Sequence, residues 1–164
     1  MLVSLSSTGG VVIGSRWPIL REDQHVYRGS CNYADCLAAK GVKYARIEKT
    51  ANCNAYGVCG AGAGGKPVKK IFNIFATHMQ AWDEAEAQKD RLHQAAQMRD
   101  FVKTQGVPEG EPVIYAGDFN TDFVLYPTEV ATLVNTLDAH LPKVRGGDDF
   151  IWREEIGPTL TKVP

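Results

Sequence analysis

The tetrad Gly117-Asp118-Phe119-Asn120 follows directly on Pro112-Val113-Ile114-Tyr115-Ala116, a short apolar run that predicts a buried strand. On an extended chain the side chains of Asp118 and Asn120 point the same way, so a carboxylate and an amide can address one small object together. A phosphoryl group with its attacking water is such an object. The carboxylate can orient or deprotonate water or ligate a hard divalent cation, the amide can donate to a phosphoryl oxygen, and Gly117 lets the backbone approach closely. The same four residues also suit an Asx turn after a strand, with no chemistry attached. His78 stands at the end of a second apolar run, in Ala76-Thr77-His78-Met79-Gln80. Its imidazole can donate to a phosphoryl oxygen or move a proton near neutral pH, or simply be satisfied at a strand end. The two strand ends meet only if the strands are neighbours running in one direction, and a helical crossover between them predicts that arrangement.

The crossover is legible from Asp83 to Gln105, where Leu92, Ala95, Met98 and Val102 share one helical face with Phe101 beside them, and Glu84, Glu86, Lys89 and Asp90 turn to water. Gly106 and Pro108 stop it. Upstream, Gly10–Ser15 reads as a buried strand closed by Trp17-Pro18, Val42–Glu48 alternates as a strand with one wet face, and Lys69–Thr77 is the next strand. Residues 50–66 then form an oversized hairpin loop rather than a domain linker. Thr128 is expected to cap a second helix with Val130, Leu133, Val134 and Leu137 as its buried stripe. Residues 141–164, which include Gly146-Gly147-Asp148-Asp149, read as an irregular tail. The order β-β-β-α-β-α implies an α/β sandwich, a mixed sheet with helices on it, in a single domain over residues 1–164. Strands this apolar expect cover on both faces and two helices cover only one, so the sequence reads as part of a fold.

A chain of 164 residues that is 44% hydrophobic and 23% charged has apolar surface enough for one core, which excludes disordered and collagen-like classes. No apolar run reaches the length of about eighteen residues that a transmembrane helix needs. The net charge of −1 gives no global attraction to nucleic acid or anionic lipid. Lys40, Lys43, Arg46, Lys49, Lys66, Lys69 and Lys70 make the hairpin basic, and read as a solvated face rather than a phosphate-facing strip. Cys31 with Cys36 and Cys53 with Cys59 do not have the spacing of a zinc knuckle; reduced thiols and one or more disulfides both remain open. A Cys53–Cys59 bridge would suit an oxidising compartment. Residues 1–8 show no charged leader or sustained apolar core, so no signal peptide is readable. Trp17, Trp82 and Trp152 read as core or loop cover, with Trp82 at the rim of the His78 strand end.

Four segments in this order, Gly9–Ile19 (GGVVIGSRWPI), Asp35–Ile47 (DCLAAKGVKYARI), Thr77–Ala81 (THMQA) and Glu111–Asn120 (EPVIYAGDFN), resemble the endonuclease/exonuclease/phosphatase superfamily over about residues 9–125. The Gly-Asp-x-Asn tetrad is shared across that superfamily, while the Lys-Gly-Val-x-Tyr-Ala-Arg-Ile and Thr-His-x-Gln-Ala segments favour its secreted neutral sphingomyelinases of the sphingomyelinase C type. The resemblance implies part of a four-layer, deoxyribonuclease-like α/β sandwich. It implies a magnesium-dependent phosphodiesterase that hydrolyses sphingomyelin to ceramide and phosphocholine by in-line attack of water. In that likeness Asp118 matches the residue that positions or activates the water, and Asn120 and His78 match those that hold the phosphoryl oxygens. It further implies a monomer outside the cell, working on phospholipid at a membrane surface without nucleic acid.

The departures are specific. Family members carry an Asn and a Glu upstream of the Gly-Gly-Val segment for phosphate and Mg2+, and Met1–Thr8 contains neither. Members also end in an Asp-His pair, whereas His140 lies between Ala139 and Leu141. The expectation is a central fragment with little activity as it stands, because members of a catalytic unit fail together. A metal-dependent nuclease of the same superfamily and a non-catalytic remnant or binding module are the other readings.

Overall fold

A computed structural model of the chain describes residues 10–53 and 66–141. One sheet runs in the order β1 (Ile19–Val26), β2 (Gly41–Cys53), β3 (Lys66–His78) and β4 (Val113–Asp118). Helix α1 (Ala85–Thr104) connects β3 to β4, and α2 (Pro127–Thr136) follows β4. β1 to β2 and β2 to β3 are antiparallel and β3 to β4 is parallel, the mixed α/β sheet that the element order implied.

Side chains alternate across the sheet, and the two faces have different cover. Val42, Tyr44, Phe75 and Tyr115 meet the helices, where Ala95, Met98, Phe101, Leu133 and Leu137 close the main core. Tyr44 and Phe75 are opposed across the ladder and stack with ring centres 4.7 Å apart. Ala45, Ile47, Ile74 and Ala76 turn to the other face, where Val11, Ile13, Trp17 and Ile19 pack on them. That cover ends short of β4: Ile114 is exposed, and among the described residues no strand pairs with the outer edge of β4.

Several expectations shift. Gly10–Ser15 is not a strand; Val11 and Ile13 tuck under the sheet with no ladder beyond a single bridge at Val11. The first strand instead begins after Pro18 and exposes Leu20 to Gln24, the polar composition of a sheet edge. The hairpin strands run on to Cys53 and resume at Lys66, so the loop expected over 50–66 contracts; residues 54–65, like 142–164 of the expected tail, lie outside the described residues. α1 starts at Ala85 and ends at Thr104, slightly inside the expected limits. Thr128 does not cap α2, because Pro127 already occupies the first turn, where its fixed φ and missing N–H cost nothing, and Tyr126 is the N-cap. The basic strip is not a solvated face throughout: Lys40 and Lys43 are buried against Asp35 and Glu22, Arg46 pairs with Glu111 and Lys69 with Glu48.

Gly117 sets how closely β4 approaches β3. Its φ is +113°, and a Cβ there would stand 2.2 Å from the Thr77 carbonyl oxygen. Gly117→Ala combines left-handed strain with a backbone clash, so it is expected to destabilise by at least about 2 kcal/mol. The midpoint of urea unfolding measures this, and an unchanged midpoint would refute the close approach.

Candidate functional site

The parallel register of β3 and β4 sets Thr77 opposite Gly117 and His78 opposite Asp118. Both site residues are the last of their strands. By alternation from Ala76 and Ala116 they point to the face away from the helices. His78 Nε2 stands 3.8 Å from Asp118 Oδ2, with the carboxylate 62% exposed and thus open to a ligand. Asn120 joins them by a turn rather than by the strand alternation expected, since its φ of +51° is left-handed. Its backbone N–H donates to Asp118 Oδ1 at 2.9 Å and its Nδ2 donates to the Met79 carbonyl at 2.8 Å. The Asx turn and the ligand-facing pair therefore coexist: Oδ1 closes the turn while Oδ2 faces the imidazole. Asn120 uses one amide hydrogen on Met79, which leaves the second to address a ligand.

Two residues that the sequence did not single out for the site stand behind it. Lys40, 6% exposed, donates from Nζ to the same Met79 carbonyl at 2.7 Å and to Asp35 Oδ2 at 2.7 Å. Asp35 Oδ2 also accepts the Ala81 N–H at 2.7 Å, so one carboxylate holds the chain just past His78. Asp35 sits in a 3-10 turn, Tyr33–Leu37, and the Cys31–Cys36 disulfide closes that segment. This decides the first cysteine pair; Cys59 and the side chain of Cys53 lie outside the described residues. Burial pushes the Asp35 carboxyl up, but the bonds from Lys40 and Ala81 and the charges of Lys40 and His78 outweigh it and hold it below the ordinary value. Trp82, four residues past His78, is 59% exposed with a φ of +77°.

Mg2+ takes about six oxygens, several of them water, with one or two carboxylates from the protein. Among the described residues no three His, Cys, Asp or Glu side chains gather as a metal site. Asp118 offers one carboxylate, and Asp35 is already neutralised by Lys40. At the strand tips the described residues therefore supply one carboxylate, that of Asp118, toward a magnesium site.

The Asp35 carboxyl has a folded pKa below its unfolded value of about 3.9. Its stabilisation is complete above that unfolded value and is lost as pH falls through the folded one. Asp35→Asn leaves the Lys40 ammonium buried without its counter-charge, which should cost about 2–4 kcal/mol at neutral pH. Urea midpoints taken from about pH 2 to 7 should show this gap closing at the acid end; a gap independent of pH would contradict the ion pair.

The chain matches the model of the Endonuclease/Exonuclease/phosphatase family over residues 4–142. It is 34% identical over 149 residues to sphingomyelinase C of Leptospira interrogans, which covers 89% of this chain and 23% of that protein. It superposes on sphingomyelinase C from Streptomyces griseocarneus with a TM-score of 0.60 at 28% identity, covering 79% of this chain and 39% of that one. It also superposes on a variant of Staphylococcus aureus beta toxin with bound magnesium ions, with a TM-score of 0.62 at 29% identity, covering 84% and 43%. The chain spans less than half the length of each of these relatives. With the strand-tip His, Asp and Asn on a mixed sheet and a family match over most of its residues, the chain belongs to the endonuclease/exonuclease/phosphatase family.

Proposed function

We propose that the chain carries the His78, Asp118 and Asn120 portion of a sphingomyelin phosphodiesterase, which hydrolyses sphingomyelin to ceramide and phosphocholine. The observation that carries this is the 3.8 Å approach of His78 Nε2 to Asp118 Oδ2 with Asn120 turned back onto the same strand tips. In this reading the phosphodiester lies across the ends of β3 and β4. Asp118 orients the water, whose oxygen bonds to phosphorus and gives up a proton to solvent as the bond to the ceramide oxygen breaks on the opposite side and that oxygen takes up a proton from solvent. His78 and the second amide hydrogen of Asn120 donate to the phosphoryl oxygens as charge grows on them, which stabilises the transition state more than the ground state.

Magnesium dependence enters this proposal through the likeness alone, from the relative whose structure carries magnesium ions. So do the extracellular location, the membrane-surface substrate and the monomeric state. No described helix is long and apolar enough to cross a membrane. Binding along a nucleic-acid backbone draws on many cations, and four of the seven in the basic strip, Lys40, Lys43, Arg46 and Lys69, each pair with a carboxylate of this chain. That favours the lipid diester.

With sphingomyelin vesicles and Mg2+, slow release of phosphocholine is the expected result. Asp118→Asn and His78→Ala should each lower it by about a hundredfold, the scale of one acid–base or oxyanion contact. Release no greater than from Asp118→Asn, or nicking of plasmid DNA that collapses with salt, would overturn the proposal.

A further inference from the structure

We infer that Arg91 and Glu129 are positioning residues of this site, a buried ion pair that fastens the loop leaving His78 to the loop that carries Asn120. What is positioned rests on the phosphodiester reading above; the fastening rests on geometry alone. Arg91, on α1, is fully buried. Its Nε and Nη2 donate to the two oxygens of Glu129 at 2.6 and 3.1 Å, and its Nη1 donates to the carbonyls of Gln80, at 3.0 Å, and Trp82. Glu129, buried in the first turn of α2, passes the connection on, because its Oε2 also accepts the Thr121 hydroxyl at 2.9 Å. Gln80 is two residues past His78, and Thr121 directly follows Asn120. Gln94, on the next turn of α1, holds the first loop from the same side by accepting the Gln80 N–H at 2.8 Å.

An ion pair this deep is expensive to desolvate, and an apolar pair of similar volume would join α1 to α2 as well or better. An apolar pair would not hold two carbonyls of one loop and a hydroxyl of the other in a fixed relation. The planar guanidinium fork does so in one group, which the single ammonium of lysine cannot copy. Trp82, one of the carbonyl partners, is kept in left-handed backbone, so its loop has a conformation that needs holding. A strand tip displaced by about 1 Å loses up to roughly a hundredfold in rate while still binding its ligand.

The test uses Arg91→Lys, Glu129→Gln and Thr121→Val in the full chain, with Mg2+ and bis(p-nitrophenyl) phosphate as a soluble diester. Amide hydrogen exchange without substrate is measured beside it. Thr121→Val leaves the ion pair and the packing in place and removes only the last link. The expected result is a kcat lower by about tenfold in Thr121→Val and about a hundredfold in Arg91→Lys, with KM within about twofold of the parent. Glu129→Gln should speed exchange at residues 80–82, which Glu129 reaches through Arg91. Variants that melt earlier yet keep the parent kcat per folded molecule and the parent exchange at 80–82 would overturn the proposal. If the parent chain cleaves no diester, the functional reading fails separately. Exchange at 80–82 still decides the fastening, and no change there in Glu129→Gln refutes it.

Discussion

Two parallel strands that end together present their last side chains next to one another, and the site depends on that property of β3 and β4. A slip of one residue in their register would send His78 and Asp118 to opposite faces of the sheet. The register is held at both ends. At the site end the Met79 N–H donates to the Asp118 carbonyl at 2.9 Å, and Gly117 gives room for the Thr77 backbone. At the far end Arg46 grips Glu111 through two nitrogens, Asn73 Nδ2 donates to Glu111 Oε2 at 3.0 Å, and the Tyr44 hydroxyl donates to Asn73 Oδ1 at 2.7 Å. The bonds from Arg46 and Asn73 hold the Glu111 carboxyl below its ordinary pKa, so it stays a charged anchor across the neutral range.

Between these ends the core changes character. Around Tyr44, Phe75, Met98 and Phe101 it is aromatic and aliphatic, and toward the strand tips Lys40, Thr77, Gln80, Arg91 and Gln94 are buried instead. Burying such groups costs stability unless their donors and acceptors are met, and here they are met by backbone: Met79, Gln80, Trp82 and Ser30 carbonyls and the Gln80 N–H. Apolar packing tolerates small slides, whereas a hydrogen-bonded network fails abruptly when a partner moves. The polar end of the core therefore trades stability for a defined loop geometry beneath the His78, Asp118 and Asn120 cluster.

This division explains what could be read from the amino acids. The β4 run, the α1 stripe and the Gly-Asp-x-Asn tetrad are local patterns, and a helix between two apolar strands implies parallel neighbours, so the meeting of His78 with Asp118 was legible. Asp35, Lys40, Arg91 and Glu129 were not, because each pair joins residues whose separation in sequence has no periodic signature. Arg91 also sits on the buried face of α1 where an apolar residue is expected, and a stripe search passes over it. β1 was missed for the opposite reason: Ile-Leu-Arg-Glu-Asp-Gln-His-Val is polar because an edge strand meets water, while the β-branched Val11 and Ile13 are apolar because they pad the sheet without joining it.

The site pair faces the less covered side of the sheet, and this bears on how strongly its donors can act. Preorganised donors gain their strength from a dry, low-dielectric surround. Beside Asp118, however, Ile114 and Ala116 on the same face are exposed, and the carboxylate is open to water. The antiparallel strands on this face, with Ala45 and Ile47, have the padding of Val11 and Ile13, and β4 does not share it. On the phosphodiester reading, then, the described residues fix where the imidazole, carboxylate and amide stand but leave their field screened. On that reading the described residues place the three groups, and fast turnover also requires cover over the β4 face, which the described residues do not supply.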